Sequence, residues 1–235
     1  MKKNLTELVF ILDESGSMSG LTADTIGGFN SLIEKQKNEE GEALVSTVFF
    51  SNDSKVVHDR VKLSDVPELT NKEYVPAGCT ALLDAVGDAV RHIANIHKYA
   101  REEDVPEKTL FVITTDGMEN ASHKYSHKEV KKLIEKMQEA NGWEFIFLGA
   151  NIDAAETAGS IGIRAENAVD YCADSLGTGS VYEAVGCAVT SVRANKRVEK
   201  LWKCAVEKDN MRREKASAGK KDESRKGGLL GSIFK

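Results

Sequence analysis

Four short apolar runs punctuate the chain: Leu8 to Leu12, Leu44 to Phe50, Leu110 to Ile113 and Phe145 to Leu148. Each is too short for a buried helix and rich in β-branched or aromatic residues, the pattern of central strands in a sheet covered on both faces. Between them Leu82, Val86, Val90, Ile93 and Ile96 recur at spacings of three and four, and Val130, Leu133, Ile134 and Met137 share one helical face. Both segments are predicted to be amphipathic helices. The second opens on a capping box, Ser126-His127-Lys128-Glu129, and closes at Asn141-Gly142. Strand and helix in alternation imply parallel pairing with right-handed crossovers. Lys55 to Val61 comes after Phe50 across the polar turn Ser51-Asn52-Asp53-Ser54 and reads as the return arm of a hairpin. Ala168 to Cys172 predicts a last strand, and Val181, Val185, Ala188 and Val192 a helix running to about Val206. The expected fold is α/β: a doubly wound, mostly parallel Rossmann-like sheet with helices on both faces and one antiparallel edge strand.

Composition refines this. The 235 residues suit one domain with an appendage, and 41% apolar with 29% charged residues is ordinary for a globular chain. The net charge of −5 is unevenly spread: residues 211–235 hold eight Lys/Arg and three Asp/Glu, leaving −10 on residues 1–210. We expect a domain over 1–210 and a flexible basic tail over 211–235, ending in the apolar cluster Leu229-Leu230 and Ile233-Phe234. A solvated linker is the plainer reading of that tail, and docking of its apolar end in a groove the other. An acidic domain argues against a nucleic-acid coat. No apolar stretch approaches the ~20 residues of a membrane span. The apolar run behind Met1–Asn4 ends at Asp13 without a small-residue cleavage site, so a cytoplasmic protein is expected, with neither membrane nor nucleic acid as partner. Cys79, Cys172, Cys187 and Cys204 have no CxxC spacing and read as isolated, mostly buried thiols.

Ligands of parallel α/β sheets bind beyond the carboxyl ends of the strands, so the residues just after each apolar run matter. The first run leads into Asp13-Glu14-Ser15-Gly16-Ser17, the third into Thr114-Thr115-Asp116-Gly117, and Ala77-Gly78-Cys79-Thr80 precedes the first helix. Asp13 and Asp116 with the hydroxyls of Ser15, Ser17 and Thr80 form a hard oxygen set suited to Mg²⁺. Two carboxylates leave such an ion under-satisfied, with appetite for one more anionic oxygen. Gly16 would let the Asp-x-Ser-x-Ser turn bend without a Cβ in the way.

On these residues the chain resembles the von Willebrand factor A (VWA) domain family, and they are similar to its metal-ion-dependent adhesion site (MIDAS). Asp13, Ser15 and Ser17 match Asp-x-Ser-x-Ser, Thr80 the distal Thr, and Asp116 the later Asp, so all five positions agree in order. The resemblance covers roughly residues 5–207. Cys79 departs from it where the family often has Gly. The resemblance implies that Ser15, Ser17 and Thr80 touch the metal directly or through water and that the two Asp act largely through water. It further implies Mg²⁺, with Mn²⁺ as substitute, and a protein partner that supplies an acidic residue to the open position. A non-enzymatic, stand-alone intracellular member of bacterial type is the expectation. In some relatives partner binding shifts the C-terminal helix.

The rival is a haloacid-dehalogenase-like phosphatase with Asp13 as nucleophile. That motif carries a second Asp two residues on, where Ser15 stands here, and a downstream acidic pair that is missing. A serine hydrolase is weaker, because Gly16-Ser17-Met18-Ser19-Gly20 centres Met18 rather than Ser. Gly177-x-Gly179 is too short for a dinucleotide fingerprint. His123 and His127 are four apart, yet the capping box places His123 before the helix, so an exposed pair is expected rather than a zinc site. Glu14, Met18, Ser19, Glu119, Asn120 and Ser122 read as plain loop residues on the rim.

Overall fold

Along β1 (Lys2–Asp13) the side chains of Leu8, Phe10 and Leu12 enter one core and those of Val9 and Ile11 the other, all of them buried. The same alternation holds in β4 (Pro106–Thr115), with Leu110 and Val112 against Phe111 and Ile113. A strand apolar on both faces needs helices above and below it. The computed structural model describes residues 1–198, 200–213 and 215–216. In it β1 and β4 are joined by β2 (Glu42–Phe50), β3 (Ser54–Lys62), β5 (Glu144–Ala150) and β6 (Ala168–Tyr171) in one sheet of order β3-β2-β1-β4-β5-β6. The β2–β3 pair is antiparallel and the other four pairs are parallel, as the pattern predicts.

Helices α1 (Thr22–Lys37) and α5 (Ser175–Arg193) cover one face. The other lies under α2 (Leu82–Tyr99), α3 (His127–Asn141) and α4 (Ala154–Ser160). The capping box of α3 is formed: Ser126 Oγ accepts from the Glu129 amide, and the Ser126 amide donates to Glu129 Oε2 at 2.9 Å. Gly142 closes the helix in the left-handed region at φ 64°, where a side chain would be strained. At the amino end of the sheet a buried carboxylate, Glu7, takes Arg60 Nε at 2.7 Å and His97 Nε2 at 2.6 Å. A charge at such a place requires partners of this kind.

The helix expected to run to Val206 is shorter. It ends at Arg193, and Asn195 takes φ 61°, a conformation Asn tolerates better than most residues. A 3-10 turn, Lys200–Lys203, then leads into a separate helix over residues 204–213. Turn and helix return beside β6: Lys203 Nζ of the turn donates to the carbonyls of Ala165 and Ala168, and Asn210 Nδ2 of the helix to that of Asp170. The apolar cluster at Leu229-Leu230 and Ile233-Phe234 lies outside the described residues. The expectation of mostly buried thiols also fails. Cys79 and Cys187 are exposed and Cys172 and Cys204 half-buried, all four free, because the strand interiors are filled by larger apolar side chains. Among the described residues no helix is long and apolar enough to cross a membrane.

Where α5 ends, the buried guanidinium of Arg193 donates to Gln36 Oε1 and to the carbonyls of Gln36, Glu39, Glu40 and Gly41. The Gln36 carbonyl lies in the last turn of α1 and the other three just beyond it, so the cation meets the negative pole of that helix. Replacing Arg193 with Met should lower unfolding stability by about 2–4 kcal/mol, read in urea titrations. A second expectation concerns His58 of β3, which is buried, lies 3.0 Å from Thr47 Oγ1 through Nδ1 and stacks on Phe29. Burial lowers its pKa, against a smaller opposing pull from Glu73. The unfolded chain therefore binds this proton first, and stability is lost as pH falls below the unfolded value of about 6.5. His58→Gln should flatten the stability profile between about pH 7 and 5 relative to the parent chain.

Candidate metal centre

The strand order reverses between β1 and β4, and their register pairs Leu12 with Thr114. One step on, Asp13 and Thr115 lie side by side, and Thr115 Oγ1 donates to Asp13 Oδ2 at 2.6 Å. The other oxygen of Asp13 accepts from the Ser15 amide at 2.7 Å, which bends the chain into the Ser15–Ser17 turn. There Ser15 Oγ lies 3.0 Å from Ser17 Oγ, and Ser17 Oγ donates to Asp116 Oδ1 at 2.5 Å. Thr80 enters from a third segment. A Cβ built on Gly117 would sit 3.2 Å from Thr80 Oγ1 and 3.9 Å from Ser17 Oγ. The glycine thus keeps open a gap bounded by both hydroxyls. The five oxygen-bearing side chains picked out by the sequence meet at one edge of the sheet.

Tertiary bonds hold the three segments in place. Gly16 donates to the Gly78 carbonyl at 3.1 Å, and Ala77 to that of Glu14 at 2.8 Å. Asn120 grips Thr80 from both sides, accepting its amide at Oδ1 (2.9 Å) and donating its own amide to the Thr80 carbonyl (3.1 Å). Asn52 Oδ1 receives the Cys79 amide at 2.7 Å, and the buried Tyr74 hydroxyl donates to the Asp13 carbonyl. Glu119 accepts from the Leu83 amide at the start of α2 and from the Ala121 and Ser122 amides in its own loop.

Several of these roles escape sequence reading. Thr115, Tyr74 and Asn52 act through partners distant in the chain, and only the position of Thr115 at a strand end gave any signal. Two rim residues, Asn120 and Glu119, turn out to be braces, and Met18 is buried. The bend attributed to Gly16 needs no glycine, since a Cβ there meets only ordinary contact with Gly78 O at 3.5 Å. Gly78 is the conformationally demanding residue, at φ 83°. His123 and His127 are both exposed, with His123 ahead of α3.

Two carboxylates dominate the electrostatics of the site. Burial raises the pKa of Asp13. Hydrogen bonds from Ser15 and Thr115 pull it back, and the charge of Asp116 adds a further rise. Asp13 is fully buried and Asp116 is only 9% exposed. Two neighbouring carboxylates with three hydroxyls and no nitrogen or sulfur form a donor set for a hard divalent ion. Among the described residues no group of three His, Cys, Asp or Glu side chains is placed to hold a metal ion, so a site here would draw on the hydroxyls as well.

No protein-family model matches the sequence, and no curated protein does. Solved structures resemble it. Proximal thread matrix protein 1 from the mussel byssus, with a zinc-occupied MIDAS motif, superposes with a TM-score of 0.58 at 17% identity, over 79% of this chain and 46% of that one. The von Willebrand factor domain of the type V pili tip protein Mfa5 from Porphyromonas gingivalis gives 0.55 at 11% identity, over 78% and 94%. The chain has the von Willebrand factor A fold. The manganese-loaded TRAP protein of Plasmodium vivax gives 0.54 at 20% identity, over 73% and 70%. This chain therefore spans less than half of the mussel protein and nearly all of the pilus domain.

Within this VWA fold Thr115 is fully buried and supplies the hydroxyl that satisfies Asp13. Thr115→Val keeps the shape and removes the donor. It should cost about 1–3 kcal/mol of unfolding free energy in the metal-free protein, measured by denaturant titration.

Proposed function

We propose that the chain is a Mg²⁺-dependent protein-binding module in which Asp13, Ser15, Ser17, Thr80 and Asp116 hold the ion, directly or through water. The observation that carries this reading is the convergence of these five side chains around the gap kept by Gly117. When bound, the ion offers a Lewis-acidic position to an oxygen ligand, and a carboxylate of the partner protein is the ligand whose charge it lacks. The chain's own groups prepare that position: Thr115 and the Ser15 amide fix Asp13, Asn120 fixes Thr80, and Ser17 bridges to Asp116. Mn²⁺ would serve in place of Mg²⁺.

We read the module as non-enzymatic. A nucleophilic Asp13 would need an exposed carboxylate oxygen, whereas both its oxygens accept hydrogen bonds and the residue is fully buried. We infer a domain over residues 1–210 and a basic tail over 211–235, although the helix over residues 204–213 crosses that boundary and Arg213 pairs with Asp174. A cytoplasmic setting, with no membrane or nucleic-acid partner, accords with four free cysteines and the acidic balance of residues 1–210.

Calorimetric titration with MgCl₂ and MnCl₂ tests this. Binding is expected in the parent chain and lost in Asp13→Ala and Asp116→Ala with circular dichroism unchanged. Absence of binding in the parent chain at millimolar ion would overturn the reading. Gly117→Ala should weaken the ion by about 10–100-fold through its methyl group against Thr80 Oγ1.

A further inference from the structure

A groove of about 650 Å³ runs between α2 and α3, away from the metal centre. Val105, Leu133, Met137 and Trp143 are its apolar lining, with Met137 and Trp143 buried beneath it. That floor is held rigid, since Trp143 stacks on Phe111 at 5.3 Å and meets the ring of His97 edge-on, while His97 is tied to the buried Glu7. Its rim carries Arg91, Lys98 and Lys136 and no carboxylate. Arg91 lies over the ring of Tyr125 and Lys98 over that of Tyr99. Among the described residues none of the three cations makes an ion pair; Asp88 is taken by Lys124, and Glu129, held by Ser126, feels the charge of Arg91 without contact. Three exposed cations thus face the groove.

We propose that this groove receives an acidic amphipathic helix of a partner protein. Arg91, Ala94 and Lys98 lie along one face of α2 at i, i+3 and i+7, and Leu133, Lys136 and Met137 along one face of α3. A third helix laid between them would place its apolar i, i+3, i+4, i+7 residues on the floor. Its flanking carboxylates, two turns or about 10.5 Å apart, would reach Arg91 and Lys98. A nucleic acid fits less well: the floor is mostly aliphatic, Trp143 is only 5% exposed, and the acidic chain repels a long polyanion. The groove draws on no residue of the metal centre, so this interface stands apart from the proposed metal function.

The test uses the full chain, ¹⁵N-labelled and kept in EDTA, so that metal-dependent binding plays no part. The probe is a synthetic helix-forming peptide of about 15 residues with Leu at i, i+3, i+4, i+7 and Glu on both flanks at i, i+7 spacing. The controls are the same composition scrambled and a single-stranded DNA oligonucleotide. The designed peptide should shift amides within residues 91–98 and 133–143 and the Trp143 indole, and the scrambled peptide should not. The double variant Arg91→Glu, Lys136→Glu should weaken it by at least about tenfold. Lys98→Ala, a single exposed change, gives a smaller loss in the same direction should the double variant fold poorly. Equal response to the scrambled peptide, shifts elsewhere, no shift at millimolar peptide, self-association through this face, or occupation of the groove by the oligonucleotide would each overturn the proposal.

Discussion

The molecule turns on the side-by-side placement of β1 and β4 at the point where strand order reverses. Parallel strands in this register end together, so Asp13 and Thr115 become neighbours without any loop having to bring them there. The helices that succeed the two strands pack on opposite faces, and the edge between them is left uncovered. An α/β sheet with this order has one natural place for a ligand, and the polar residues of this chain gather at that place.

The surroundings of that edge are built to compensate a buried charge. Asp13 is fully enclosed, and an amide and a hydroxyl, one on each oxygen, offset part of the cost of ionising it there. Those donors come from its own turn and the adjacent strand, so the compensation also fixes the geometry. Thr80 is different. It sits on a long connection with no strand beneath it, and Asn120, Asn52 and the glycine at 78 do for it what the sheet does for Asp13. One half of the site is positioned by backbone register and the other by side-chain amides. Substitutions would be felt unequally in the two halves.

This division explains which features are legible in the sequence. The central strands are legible because burial on two faces leaves unbroken apolar runs, and α3 because its capping box and terminal glycine are local chemistry. The five oxygen donors are legible because strand ends and an Asp-x-Ser-x-Ser spacing are features of the chain itself. Helix α1 is not, since its buried Phe29, Leu32 and Ile33 form a narrow stripe diluted by Gly and polar residues. The end of α5 escapes because Asn195 stops a helix through a backbone angle, whereas the apolar spacing suggests continuation. Tyr74, Asn52 and Asn120 owe their roles to partners far away in sequence, which no window on the chain reveals. Gly16 misleads for a related reason: the demanding backbone angle lies across the site, at Gly78.

The helix over residues 204–213 has an effect on the sheet's margins. The Ala168 and Asp170 carbonyls of β6 already receive Lys203 Nζ and Asn210 Nδ2. A seventh strand added here would have to displace those side chains before its own amides could pair. The opposite margin, β3, has mostly exposed side chains and, among the described residues, pairs with β2 alone. The two borders of the sheet thus differ: the one at β6 is covered by Lys203 and the helix over residues 204–213, and the one at β3 carries no such cover among the described residues.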